Sequence, residues 1–155
     1  MKVAIIIPAR YGSSRYEGKP LIKINKIPLI IRVVKKCIKA LGKQSVFVAT
    51  DDKRISTVVK DYGYNYIMTS KKNLTGTDRV AEASKKINAD IIVNVQGDEP
   101  LINPQDIKKV IDQKKKIKLN ILNRFAFTLS LKMNWIFLKD LSGNLKSKKL
   151  KILKF

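Results

Sequence analysis

Histidine is absent from this sequence of 155 residues, and cysteine occurs once. The first absence excludes a Ser-His-Asp relay and most zinc sites; the second excludes a disulfide within the chain and makes a reducing compartment the expected one. Cys37 falls on the apolar side of a predicted helix, with no histidine to activate its thiol, and reads as a small buried hydrophobe. Long apolar runs are missing as well: none approaches the roughly 20 residues of a membrane span. The run Val3 to Ile7 is stopped by Pro8 and Arg10 before it could serve as a signal sequence, so the expected location is the cytoplasm. Acidic residues are few, 12 against 33 lysines and arginines, for a net charge of +21. Such a balance ordinarily points to nucleic acid or an anionic membrane. The charge is unevenly spread, however: residues 1–112 carry 21 basic and 11 acidic side chains, and residues 113–155 carry 12 and 1. Half the excess lies in a short tail with no heptad, no groove-reading motif and no strong amphipathic period, and no nucleic-acid partner is expected.

What the sequence does contain is enough apolar material, 45% of residues, for one domain with its own core. Val3 to Ile7 is a continuous β-branched run, the pattern of a strand buried on both faces in a parallel sheet. It opens into a loop, Ala9 to Pro20, that gathers Gly12 and Gly18, Ser13 and Ser14, and the cations Arg10, Arg15 and Lys19. Glycines let the backbone approach a ligand, hydroxyls donate hydrogen bonds, and guanidinium and ammonium groups match phosphate oxygens, so a polyphosphate is the expected guest. The loop is not a Walker loop: Pro20 stands where Ser or Thr should follow Lys19, and Gly12 lies one residue too far back.

Further along, Leu21 to Ile27 predicts a short extended excursion around Asn25-Lys26, and Pro28 opens a helix whose Ile30, Val33, Val34, Cys37, Ile38 and Leu41 recur at helical spacing up to Gly42. Ser45 to Thr50 predicts a second strand, and Asp51 or Asp52 caps a helix that Gly63 stops. Tyr64 to Met68 is a third strand. Thr75-Gly76-Thr77-Asp78-Arg79 leads into a helix, and Thr75 or Thr77 is either its N-cap or a ligand contact. Ile91 to Val95 is a fourth strand, followed by Gln96-Gly97-Asp98-Glu99-Pro100 and a helix from Pro104 capped by Asn103. Strand and helix alternating four times predicts an α/β fold, a doubly wound, mostly parallel, Rossmann-like sheet. The loops leaving the first and fourth strands then open on one edge, which brings Arg10 and Lys19 toward Asp98. A carboxylate there is placed to hold Mg²⁺ against phosphate oxygens, or serves as a turn aspartate.

Three separated motifs, Ile7 to Arg15 with Gly18-Lys19-Pro20, Thr75 to Arg79, and Asn94 to Pro100, together with Ala49-Thr50-Asp51, resemble the nucleotide-sugar cytidylyltransferases, most closely their 3-deoxy-manno-octulosonate (KDO) branch. The resemblance covers residues 1 to about 112. It implies transfer of a cytidylyl group from CTP to the anomeric hydroxyl of the acidic sugar KDO, with Mg²⁺ and release of pyrophosphate, a step toward lipopolysaccharide. By matching position it implies that Arg10, Ser13 and Lys19 hold the triphosphate, that Ala9, Thr75, Gly76 and Thr77 lie near the nucleotide, that Arg79 and Gln96 face nucleotide or sugar, and that Asp98 ligates magnesium. Arg10, Lys19 and Asp98 are the implied catalytic set. Tyr16-Glu17 departs from the family's Leu-Pro.

Past Lys116 the resemblance ends, although the family continues through a sugar-binding, dimer-forming half and a second magnesium carboxylate. Residues 117–155 hold one acid, Asp140, and one glycine, Gly143, with no proline and no alternation of elements. The expected organisation is a nucleotide-binding domain over residues 1–116, truncated so that a strand edge is left unpaired, and a basic aberrant tail over 117–155. Little or no turnover is expected of this chain, and the alternative function is an inactive nucleotide- or polyanion-binding module. A frame slip at the adenine-rich codons of Lys114-Lys115-Lys116 is the expected cause of the change, and the competing reading is a natural basic anchor for an anionic lipid surface or nucleic acid. Resequencing the gene there is expected to recover family-like sequence in another frame; an intact frame with none in the other two contradicts it.

Overall fold

The central strand is the one the sequence marks most clearly. In the computed structural model, which describes residues 1–12, 16–120 and 135–138 (of 117–120 and 135–138 the backbone alone), Val3–Ala9 forms β1 with neighbours on both sides. Its side chains alternate between two cores. Ile5, Ile7 and Ala9 face one of them, Ala4 and Ile6 the other, and all five are buried.

After the phosphate-type loop and a short 3₁₀ turn at Lys19–Leu21, β2 (Lys23–Ile24) and β3 (Ile27–Pro28) form an antiparallel hairpin. Its two turn residues, Asn25 and Lys26, both have positive φ, 47° and 64°, as the twist of a two-residue hairpin requires. Pro28 closes this hairpin and stands as the N-cap of α1 (Leu29–Leu41), one position before the first turn where the sequence placed it. Gly42, at φ 89°, ends α1. Then follow β4 (Val46–Thr50), α2 (Lys53–Asp61), β5 (Asn65–Met68), α3 (Gly76–Ser84), β6 (Ile91–Asn94), α4 (Pro104–Asn120) and β7 (Trp135–Leu138). Caps form where short polar side chains precede helices. Asp52 Oδ1 accepts from Arg54 N at 2.9 Å, and Asn103 Oδ1 from Gln105 N at 3.0 Å.

The sheet order is β5-β4-β1-β6-β7, with the first four strands parallel. The chain winds outward from β1 through β4 to β5, then crosses back over β1 to β6. The reversal places the topological switch point between the carboxyl ends of β1 and β6. Helices α1, α2 and α4 cover one face, packing Ile30, Val34, Ile55, Val59 and Ile107 against Ile7, Val48 and Val93. Helix α3 covers the other, where Val80 and Ala83 meet Ala4, Ile6, Ala49 and Ile92. No helix among the described residues is long and apolar enough to cross a membrane.

At the sheet edge beside β6 the structure departs from the sequence reading. Helix α4 runs on to Asn120, and Trp135–Leu138 pairs antiparallel with β6, so the edge expected to be open is occupied. The physical reason is that an unpaired β6 would expose a row of backbone donors and acceptors, and Trp-Ile-Phe-Leu is a strand-forming run although it lies among residues with no periodicity.

Two close contacts fix the sheet's carboxyl edge. A Cβ on Gly97 would lie 2.7 Å from the Pro8 carbonyl oxygen, so the chain leaving β6 passes against β1 only because that residue is glycine. Arg79 is the largest fully buried side chain; its Nη2 donates to Asp51 Oδ2 at 2.9 Å and its Nη1 to Thr69 Oγ1, tying α3 to the ends of β4 and β5. Gly97→Ala is therefore expected to lower stability by about 1–3 kcal/mol. Arg79→Met, which leaves Asp51 without its counter-ion, is expected to cost about 3 kcal/mol. Urea denaturation midpoints check both, and midpoints equal to the parent's contradict the packing described.

Candidate functional site

The loop after β1 is held at its base. Ala9 is buried at the strand end, and Gly18 N donates to the Tyr11 carbonyl at 2.8 Å, closing the loop on itself. Gly18 sits at φ 71°, where a Cβ would lie 3.3 Å from the Tyr11 ring, and the Arg54 guanidinium lies over that ring, 3.2 Å from its centroid. From this base Lys19 reaches across the edge of the sheet. Its Nζ lies 2.6 Å from Asp98 Oδ2, so the loops after β1 and β6 meet directly at the switch point. Ser13, with Ser14 and Arg15, lies outside the described residues.

The exit from β6 supplies the acidic side of the crevice. Asn94 is fully buried and its Oδ1 accepts from Gln96 Nε2 at 3.4 Å. Gly97 turns the chain against Pro8, and Asp98 and Glu99 follow. Burial, and then the neighbouring Asp98 charge, raise the Glu99 carboxyl above its ordinary range, and its Oε1 is buried with no hydrogen bond among the described residues.

The start of α3 forms the third side. Thr75 Oγ1 accepts from Asp78 N at 3.0 Å while the Asp78 carboxylate accepts from Thr75 N at 2.9 Å, a reciprocal capping box. The cap therefore falls to Thr75, and Thr77 stands within the first turn. Hydrogen bonds from the Thr75 hydroxyl and amide, with a smaller contribution from the Arg10 charge, hold Asp78 below the usual carboxylate range. The box is accordingly at full strength at neutral pH and weakens as pH falls through that lowered range. A Cβ on Gly76 would lie 3.4 Å from the Pro8 ring and 3.8 Å from Gln96 Oε1, so this helix start abuts both strand ends.

Beside the crevice is a cavity of about 280 Å³, with Arg79 and Asp51 among its lining and Arg10, Tyr11, Lys71 and Asn73 around it. Arg10 Nη2 and Arg79 Nε are buried donors with no acceptor among the described residues. Such donors are satisfied by water or by a ligand. Of the residues expected from sequence, Arg10 and Arg79 thus share the cavity, Lys19 and Asp98 pair, and Gly76 and Gln96 meet at Pro8. Arg79 is almost wholly enclosed, with 1% of its side chain exposed, and is committed to Asp51 and Thr69. Tyr11, Asp51 and Asn73 were not singled out from sequence as ligand contacts. The signal for Asp51 was present in the doublet Asp51-Asp52, where a single cap leaves one carboxylate spare. No group of three or more metal-type side chains converges among the described residues.

A family model described as Cytidylyltransferase matches residues 4–133. The chain is 50% identical over 114 residues to "3-deoxy-manno-octulosonate cytidylyltransferase 2" of Hydrogenovibrio crunogenus, covering 72% of this chain and 46% of that protein. It is 46% identical over 115 residues to the 8-amino-3,8-dideoxy-manno-octulosonate cytidylyltransferase of Shewanella sp. W3-18-1, covering 72% and 47%. A solved structure of CMP:2-keto-3-deoxy-manno-octonic acid synthetase complexed with CTP superposes with a TM-score of 0.72 at 43% identity, over 75% of this chain and 48% of that one. The chain spans about half the length of the relatives it matches. With parallel strands, switch-point crevice and matched span in agreement, the chain belongs to the cytidylyltransferase family.

Proposed function

We propose that this chain is the nucleotide-binding part of an enzyme that moves a cytidylyl group from CTP to KDO and releases pyrophosphate. The observation that carries the reading is the 2.6 Å contact between Lys19 and Asp98, which sets a cationic loop and an acidic strand exit on one crevice at the sheet's switch point. In this reading Arg10, Ser13 and Lys19 hold the triphosphate, and Ala9, Thr75, Gly76 and Thr77 surround the nucleoside. The cavity beside them lies near the small end of ligand-pocket volumes. Gln96 faces the nucleotide or sugar at the crevice, while Arg79 contributes from the cavity floor and holds α3 in place.

The chemistry asks for fixed positive charge rather than a nucleophilic side chain. As the sugar oxygen bonds to the α-phosphorus, the bond to pyrophosphate breaks, and negative charge grows on the equatorial and departing oxygens. Arg10, whose buried Nη2 has no partner among the described residues, and Lys19 are the groups that meet it. The residues present suit magnesium held mainly by the ligand: Asp98 is a half-exposed hard oxygen donor at the crevice, and phosphate oxygens and water complete the coordination. Bound there, the ion would neutralise phosphate charge. Of the two acidic sugars named among the relatives, KDO is assigned because the relatives named for it reach 53% identity and range down to 46%, where those named for the 8-amino sugar stand at 45–46%.

Isothermal titration calorimetry with CTP and CMP tests the reading. Lys19→Ala is expected to weaken CTP at least about tenfold and CMP less than about twofold, because the ammonium meets phosphates that CMP lacks. Asp98→Ala is expected to abolish the magnesium-dependent part of CTP binding. Equal loss for CTP and CMP, or no CTP binding by the parent chain, contradicts the reading. Pyrophosphate release with CTP, KDO and Mg²⁺ separates an enzyme from an inactive binding module.

A further inference from the structure

At 2.6 Å from Asp98 Oδ2, the Lys19 ammonium occupies the place a hard cation would take on that carboxylate. We propose that this ion pair is a latch that makes polyphosphate binding and divalent-cation binding at the crevice depend on each other. Lys19 holds Asp98 until a polyphosphate draws the ammonium away, and the carboxylate then opens to the cation. The inference rests on the nucleotide reading for the identity of the polyphosphate, though not for the exchange itself.

The backbone on both sides is already fixed, so the exchange needs only side-chain motion. Lys19 follows Gly18, which is bonded to the Tyr11 carbonyl at 2.8 Å, and Asp98 follows Gly97, which lies against Pro8. The pair is also open to approach: the side chains of Lys19 and Asp98 keep 44% and 47% of their surface in water. Exposed pairs of this kind are held weakly, and an anion can reach the ammonium without unfolding anything.

Withdrawal of Lys19 leaves a charge imbalance. Among the described residues it is the one ion-pair partner of Asp98, and the adjacent Glu99 has a buried oxygen without a hydrogen bond. Once the ammonium moves to phosphate, Asp98 loses the one ion-pair partner it has among the described residues while the Glu99 carboxyl stays beside it, a state that a divalent cation relieves. Conversely, an ammonium and a metal ion on one carboxylate repel at contact distance, so the cation alone is a poor ligand while the latch is closed. Coupling of this kind is reciprocal: each ligand improves the site for the other by the same factor.

The test uses Mn²⁺ as the probe, titrated against the full chain without nucleotide and read by electron paramagnetic resonance. Lys19→Met is expected to raise Mn²⁺ affinity about fivefold to tenfold. Lys19→Arg keeps the charge, and Lys23→Met removes an equal charge from the exposed strand β2; both are expected to stay within about twofold of the parent. The same Lys19→Met substitution weakens CTP, so one change moves the two ligands in opposite directions. Adding Asp98→Asn to Lys19→Met removes the gain. Circular dichroism establishes that each variant is folded, and Lys19→Gln replaces Lys19→Met if the latter is not. An unchanged or weaker Mn²⁺ affinity in the folded variant, or no Mn²⁺ binding by parent and variant alike, overturns the latch. Failure of the parent to bind CTP overturns the nucleotide reading instead, and the Mn²⁺ comparison still decides the exchange.

Discussion

Two strand ends that approach within van der Waals distance set the terms for the rest of this molecule. The Pro8 carbonyl stands where a Cβ on Gly97 would have to go, and the start of α3 closes on the same proline through Gly76. Because β1 and β6 are direct neighbours in the parallel sheet, their exits cannot diverge, and whatever charge the two loops carry is forced into a single crevice. The Lys19 to Asp98 contact is the result. Neither residue is buried enough for the pair to add much stability. Its significance lies in what it brings together, a cation matched to phosphate and a carboxylate matched to a metal.

Around that crevice the structure sorts its charges by burial. Arg79 is sealed in and neutralised by Asp51, so it serves the architecture of the site by locking α3 to β4 and β5. Among the described residues Arg10 is left with a buried nitrogen unpartnered, and Glu99 with a buried oxygen likewise. Polar atoms stranded in this way are rare in native structures and mark places where a ligand or ordered water completes the bonding. That they flank the switch point, instead of being scattered over the surface, gives the site its chemical character.

Much of this was legible from residues alone. Val3 to Ile7 and Ile91 to Val95 read as strands because β-branched runs buried on both faces leave no other economical conformation, and the meeting of Lys19 with Asp98 follows from the winding of such strands. Other features depend on contacts that a linear pattern does not carry. Asp51 and Asp52 are equivalent as caps until the fold shows that Asp52 turns back on Arg54 N and Asp51 turns inward to Arg79. Thr75 and Thr77 were likewise indistinguishable until the box with Asp78 formed. Arg79 is placed near nucleotide or sugar by matching position in the family alone, and its enclosure is set by contacts with Thr69 and Asp51, ten and 28 residues away, that no local pattern carries. Strand β7 was missed because its four residues sit in a stretch without periodicity and owe their conformation to the edge they pair with.

The meeting of two loops over one nucleotide is tested most directly by a ¹⁵N–¹H correlation spectrum of the chain during titration with CTP and Mg²⁺. Amide shifts are expected together at Gly12, Gly18 and Lys19 in the first loop and at Gly97 and Asp98 after β6, with α2 residues Thr57 and Lys60 on the outer side unmoved. Shifts confined to one of the two loops, or centred on α2 and β5, would contradict the shared crevice and the nucleotide binding proposed for it.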